Sequence, residues 1–90
     1  MSTVLVVEDS VAQREMIIDL LKGNGLKVTV ASDGVEALDY IQGDLPDLVV
    51  LDIVMPRMNG YEVCRRIKSD PATQNLPVVL CSSKDRKSVV

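Results

Sequence analysis

Four residues carry most of the chemistry open to this chain: Glu8, Asp9, Asp52 and Ser82. Glu8 and Asp9 follow the apolar run "TVLVV" (Thr3–Val7). Asp52 ends the run at the head of "LVVLDIVMPRMNG", and Ser82 ends "LPVVLCS". Each has an ordinary explanation alone: Asp9 beside a helix cap, Asp52 in a turn, Ser82 a routine polar residue at a strand end. Gathered at one sheet edge, they do not, because clustered like charges repel and destabilise a fold that has no cation to hold them. Three carboxylates in a chain without histidine favour a hard cation, Mg²⁺ or Mn²⁺, with waters completing an octahedron. Such an ion neutralises phosphate charge during transfer to an attacking oxygen. An aspartate is a competent covalent nucleophile for that transfer. Asp52 stands alone at its strand end and is the candidate phosphoacceptor. Ser82 is a candidate donor to a phosphoryl oxygen, helped by backbone N–H groups after Asp52.

These residues can meet only if the elements bearing them are parallel strands. "TVLVV" and "DLVVLD" (Asp47–Asp52) are too continuously apolar for one-sided strands, and Leu76–Ser82 reads the same way. "KVTVA" (Lys27–Ala31) alternates and reads as a strand nearer an edge. Helical patterns separate them. Ser10 with Gln13 and Asp33 with Glu36 have the spacing of capping boxes. The first helix carries Val11, Ile17, Ile18, Leu20 and Leu21 as an apolar stripe and stops at Gly23 and Gly25. The second places Val35, Leu38 and Ile41 on one face, and the third, Gly60–Lys68, carries Val63, Cys64 and Ile67. The order β-α-β-α-β-α-β implies right-handed crossovers and an α/β fold: a doubly wound parallel sheet with helices on both faces. Ligands of such sheets bind beyond the carboxyl ends of the strands, where the four polar residues lie.

Composition narrows the alternatives. Ninety residues make one small domain, and the absence of Phe and Trp requires an aliphatic core. A net charge of −3 with both signs interspersed leaves no electrostatic footprint for nucleic acid. No apolar run approaches the length of about 20 residues that a membrane span needs, and nothing resembles a signal peptide. Cys64 and Cys81 form no CxxC and fit buried thiols of a reduced, cytoplasmic protein.

"VLVVEDS", "DLVVLDIVMPRMNG" and "LPVVLCSS" together resemble the receiver domain of bacterial two-component response regulators, a flavodoxin-like fold. The resemblance runs from Thr3 to about Ser83. It implies that Asp52 accepts a phosphoryl group from a histidine kinase or phosphotransfer protein and passes the signal to a downstream protein. It implies that Glu8, Asp9, Asp52 and the Val54 backbone carbonyl hold Mg²⁺, and that Ser82 senses the phosphoryl group and helps move a switch surface. Met55, Pro56 and Gly60 would shape the loop. A receiver modifies itself and turns over no external substrate.

The chain departs from that pattern at its end. It reads "KDRKSVV" where the family's fourth helix begins, so residues 1–90 are expected to be a receiver lacking its fifth βα unit. The family's lysine at the end of the fifth strand is then absent, and Lys84 or Lys87 replaces it poorly. Two consequences are expected. The chain could act as a non-switching interaction module of the same fold, and it could pair as a homodimer through an exposed fourth-strand edge. A phosphohydrolase is disfavoured because that chemistry wants a second acid two residues after the nucleophile, where Val54 stands. A flavin site is disfavoured by the acidic loop "EDSVAQ".

Overall fold

The structure is a computed structural model that describes residues 2–55 and 58–81. Pro56, Ser82, Lys84 and Lys87 therefore lie outside the described residues. Among the described residues four strands and three helices alternate: β1 (Thr3–Val7), α1 (Val11–Gly23), β2 (Lys27–Ala31), α2 (Gly34–Gly43), β3 (Leu48–Asp52), α3 (Gly60–Ser69) and β4 (Val78–Cys81). All strands are parallel, in the order β2-β1-β3-β4. The alternating strand is indeed at an edge, and the two most apolar strands are central. In register, Val6 lies between Val30 and Val50, and Asp52 lies beside Cys81.

Side chains alternate across a strand, so β1 and β3 each feed two layers. Leu5, Val7, Val49 and Leu51 meet Ala37 and Ile41 of α2 and Val63 and Ile67 of α3 in the main core. Val4 and Val6 are buried on the opposite face, where α1 lies against β1 and β2. Each helix starts on a side-chain cap. Ser10 Oγ accepts from Gln13 N–H at 3.5 Å, Asp33 Oδ1 from Glu36 N–H at 2.9 Å, and Asn59 Oδ1 from Glu62 N–H at 2.9 Å. The expected boxes form only in part: Glu36 Oε1 accepts from Ser32 N–H, one residue before the cap.

Three sequence-based expectations need correction. The stripe on α1 is narrower than its apolar residues suggest: no α1 residue is fully buried, and Val11 and Leu20 are 61% and 67% exposed. Among the described residues this helix packs chiefly on β1 and β2, and the arc Ile17–Ile18–Leu21 is half-buried. On α2 the inner face is Gly34, Ala37, Leu38 and Ile41, the i, i+3, i+4, i+7 set, which turns Val35 outward. The last described strand begins at Val78 rather than Leu76. Leu76 instead closes the core from the loop, its N–H bonded to Thr73 O.

These burials set a contrast. Leu5→Ala removes a fully enclosed side chain and should cost about 2–5 kcal/mol. Leu20→Ala, on the outer face of α1, should stay within about 0.5 kcal/mol. Urea unfolding followed by circular dichroism reads both, and equal losses would contradict this seating of α1.

Candidate functional site

The site is built where β1 and β3 run out. Glu8 N–H donates to Ala31 O at 3.1 Å, which prolongs the β1–β2 ladder by one residue and keeps Glu8 in strand geometry. Its side chain therefore turns inward and is 1% exposed, while Asp9, next in sequence, is exposed. The chain then turns into α1, and Ser10 N–H donates to Glu8 Oε2 at 3.0 Å. Arg14, one turn into α1, donates to Glu8 O at 3.2 Å and to Ser32 Oγ at 3.3 Å, tying the end of β1 to the β2–α2 loop.

At β3 the ladder is also prolonged: Ile53 N–H donates to Cys81 O at 2.9 Å. Asp52 is 2% exposed, and Val54 N–H donates to its Oδ1 at 3.3 Å, fixing the carboxylate against the loop that follows. Gly60 N–H closes that loop onto Ile53 O at 2.9 Å. A Cβ on Gly60 would overlap Asp52 O and stand 2.8 Å from Ile53 Cα, both backbone atoms, so only glycine fits there.

One carboxylate oxygen from each of Glu8, Asp9 and Asp52 lies within 4.8 Å of the others. The structure thus brings together the three acids that the sequence placed at strand ends. Val54 sits in the adjoining loop and is 47% exposed. Ser82 lies outside the described residues, but Cys81 before it seats β4 beside Asp52. All donors of the cluster are hard oxygens, two of them buried and one open to water, a set that fits Mg²⁺ or Mn²⁺. The field of the cluster is felt nearby. Burial, then the charges of Asp52 and Glu8, push the Cys81 thiol above its ordinary range.

Sequence reasoning missed two positioning residues, Arg14 and Cys81. Neither carried a local signal, because Arg14 acts across the β2–α2 loop and Cys81 is placed only by strand register. Asn59 was legible in retrospect, as an Asn with Glu62 three residues on.

Residues 4–90 match the family model described as the response regulator receiver domain. The chain belongs to that family. It is 46% identical over 85 residues to the response regulator MprA of Mycobacterium avium, covering 94% of this chain and 36% of that protein. The chain thus spans about a third of the length of the curated relatives it matches. Among solved structures it is similar to the N-terminal domain of a response regulator receiver protein from Methanoculleus marisnigri, with TM-score 0.85 and 40% identity over 89% of this chain and 65% of that one. It is also similar to the Mn²⁺-bound form of response regulator Rcp1, with TM-score 0.86 and 27% identity over 100% and 71% of the two chains. The four-stranded parallel sheet is the flavodoxin-like receiver fold, and receiver domains are signalling modules of two-component systems.

The perturbed thiol offers a readout of the acid field. The thiolate is the species that alkylates, so a raised pKa means less thiolate and slower reaction at a given pH. In a Cys64→Ser chain, iodoacetamide should modify Cys81 with a pH profile lying above the usual thiol value of about 8.5. Asp52→Asn removes a negative charge from beside it and should move that profile down. An unmoved profile would show that the two groups do not share a field.

Proposed function

We propose that this receiver domain takes a phosphoryl group onto Asp52 and holds Mg²⁺ with Glu8, Asp9, Asp52 and the Val54 backbone carbonyl. The donor would be a histidine kinase or a phosphotransfer protein. The observation that carries this reading is the convergence of three carboxylate oxygens within 4.8 Å at adjacent strand ends. Such crowding is unfavourable without a cation. Response regulator Rcp1, which shares the fold, has been solved in a Mn²⁺-bound form, and that supports a divalent cation as the ligand of a domain of this kind.

When bound, the cation supplies charge neutralisation at the transferring phosphoryl group. The chain's own residues do the rest. Asp52 is held by the Val54 N–H, so its carboxylate needs no reorganisation before one oxygen forms the bond to phosphorus. The bond from phosphorus to the donor's imidazole nitrogen breaks as that bond forms, and the imidazole takes up a proton. Glu8 is oriented by Ser10 N–H, while exposed Asp9 faces the water from which an ion arrives. Ser82 would donate to a phosphoryl oxygen and report the new charge to the switch surface, which a downstream signalling protein reads. The Val54 side chain cannot hydrogen-bond an attacking water, so the phosphoaspartate should hydrolyse slowly. We propose that residues 1–90 are a receiver domain acting in the cytoplasm. Among the described residues no helix is long and apolar enough to cross a membrane.

β4 suggests a second partner. Among the described residues it pairs only with β3, and Val79 is exposed. A strand edge of this kind can pair with a second copy of the chain. Such a homodimer would serve the alternative role, a non-switching interaction module.

Mg²⁺ at tenfold its dissociation constant should add about 1.4 kcal/mol of stability and raise the melting temperature by about 5–10 °C. Asp52→Asn relieves repulsion, so the metal-free variant should melt higher than the parent, and it should take no label from acetyl phosphate. A melting curve indifferent to Mg²⁺ would sink the metal site. A chain that resists labelling yet scatters light as a dimer at tens of micromolar would establish the interaction module instead.

A further inference from the structure

Gly34, the first residue of α2, is buried against two residues from beyond the acidic strand end. A Cβ placed there would stand 2.5 Å from Val63 Cγ2, 3.2 Å from Met58 Sδ and 3.3 Å from Met58 Cβ. The first of these is far inside van der Waals contact. Val63 is fully buried and β-branched on a helix, where one χ1 well is strongly preferred, so it yields at a cost. Met58 could swing its sulfur aside, but its Cβ moves only with its backbone.

Neither can α2 retreat easily. Its start is held by Asp33 Oδ1 on Glu36 N–H and by Glu36 Oε1 on Ser32 N–H. Ser32 in turn is tied through Arg14 to Glu8 O. The start of α2 is therefore referenced to the acid-bearing end of β1. Met58, pressed on Gly34, lies two residues before Gly60, whose own lack of a side chain lets it rest on Asp52 O. Ile53, the residue before Val54, is thus held from two sides, by its bond to Asp52 and by the Gly60 N–H on its carbonyl.

We propose that Gly34 is a positioning residue of the acid site. By admitting Met58 and Val63 to backbone distance, it sets the loop that presents Val54 beside Asp52. The consequence for metal binding rests on the site proposed above, whereas the placement of the loop does not. Arg14 and Gly34 then work as one frame, the first fixing α2 to β1 and the second fixing the β3 loop to α2.

Gly34→Ala should displace the backbone amide resonances of Ile53, Val54 and Met55 in the metal-free chain. It should also weaken Mg²⁺ binding, measured by calorimetry, by about tenfold, as loss of a supporting residue does at other metal sites. Adding Val63→Ala removes the methyl that the new Cβ meets, so the double variant should return both readouts most of the way. Should Gly34→Ala fail to fold, Met58→Ala withdraws the same wedge without adding an atom and should move the same amides. A lowered melting temperature with those amides and the Mg²⁺ affinity unchanged would overturn the proposal, leaving Gly34 as packing only. Displaced amides in a chain whose wild type ignores Mg²⁺ would uphold the frame and refute the metal site.

Discussion

Two carboxylates, Glu8 and Asp52, are buried to within 2% of full enclosure at the ends of the two central strands. The rest of the structure answers to that constraint. An oxygen of each lies within 4.8 Å of the other, and two unit negative charges that close repel by about 3.5 kcal/mol at the effective dielectric of about 20 that suits protein sites. Domains of this size are stable by only about 5–15 kcal/mol, so the repulsion is a large share. It is tolerated because backbone N–H groups are aimed at the charges: Ser10 at Glu8 and Val54 at Asp52. Both donors belong to the turns that leave the strands. The turns are thereby part of the site and not mere connections.

Holding charges in place requires a scaffold that does not yield. β1 and β3 provide it by being apolar on both faces and flanked on both sides in the sheet. Their ladders each run one residue past the strand, through Glu8 on Ala31 and Ile53 on Cys81, so the acids sit on paired backbone. The caps then set where α1, α2 and α3 begin, which fixes the turns from the far side. An aliphatic core suits this purpose. Val and Ile have few rotamers, and interdigitated in a parallel sheet they leave the strand ends little freedom.

Much of this was legible in the sequence, and the boundary of legibility has a physical meaning. Unbroken apolar runs report burial on two faces, so the central strands, and the acids that end them, could be read directly. Caps are local, so Ser10, Asp33 and the helix starts could be read too. What failed was whatever depends on which neighbour an element finds. The α1 stripe looked wide because Val11 and Leu20 are apolar, but only the sheet's position decides which arc is covered. Glu8 and Asp9 looked like an equivalent pair, yet the extra rung at Ala31 buries one and turns the other to solvent. The seat of Cys81 and the contact of Gly34 with Met58 join segments distant in sequence, and no periodicity encodes them.

The split between Glu8 and Asp9 has a consequence for how a charge added at Asp52 can be felt. A phosphoryl group brings further negative charge and a larger volume to a place where the carboxylate is already enclosed. β1 and β3 cannot give way, since each is clamped between two neighbours. The parts with room are the Val54 side of the loop, half exposed, and β4, which among the described residues has one strand neighbour and presents Val79 to solvent. On the proposed reading, the response to phosphorylation is directed to that side of the site, away from α1 and β2. The rigidity that positions Asp52 is what directs the change outward, because a scaffold soft everywhere would absorb the same charge without moving any one surface.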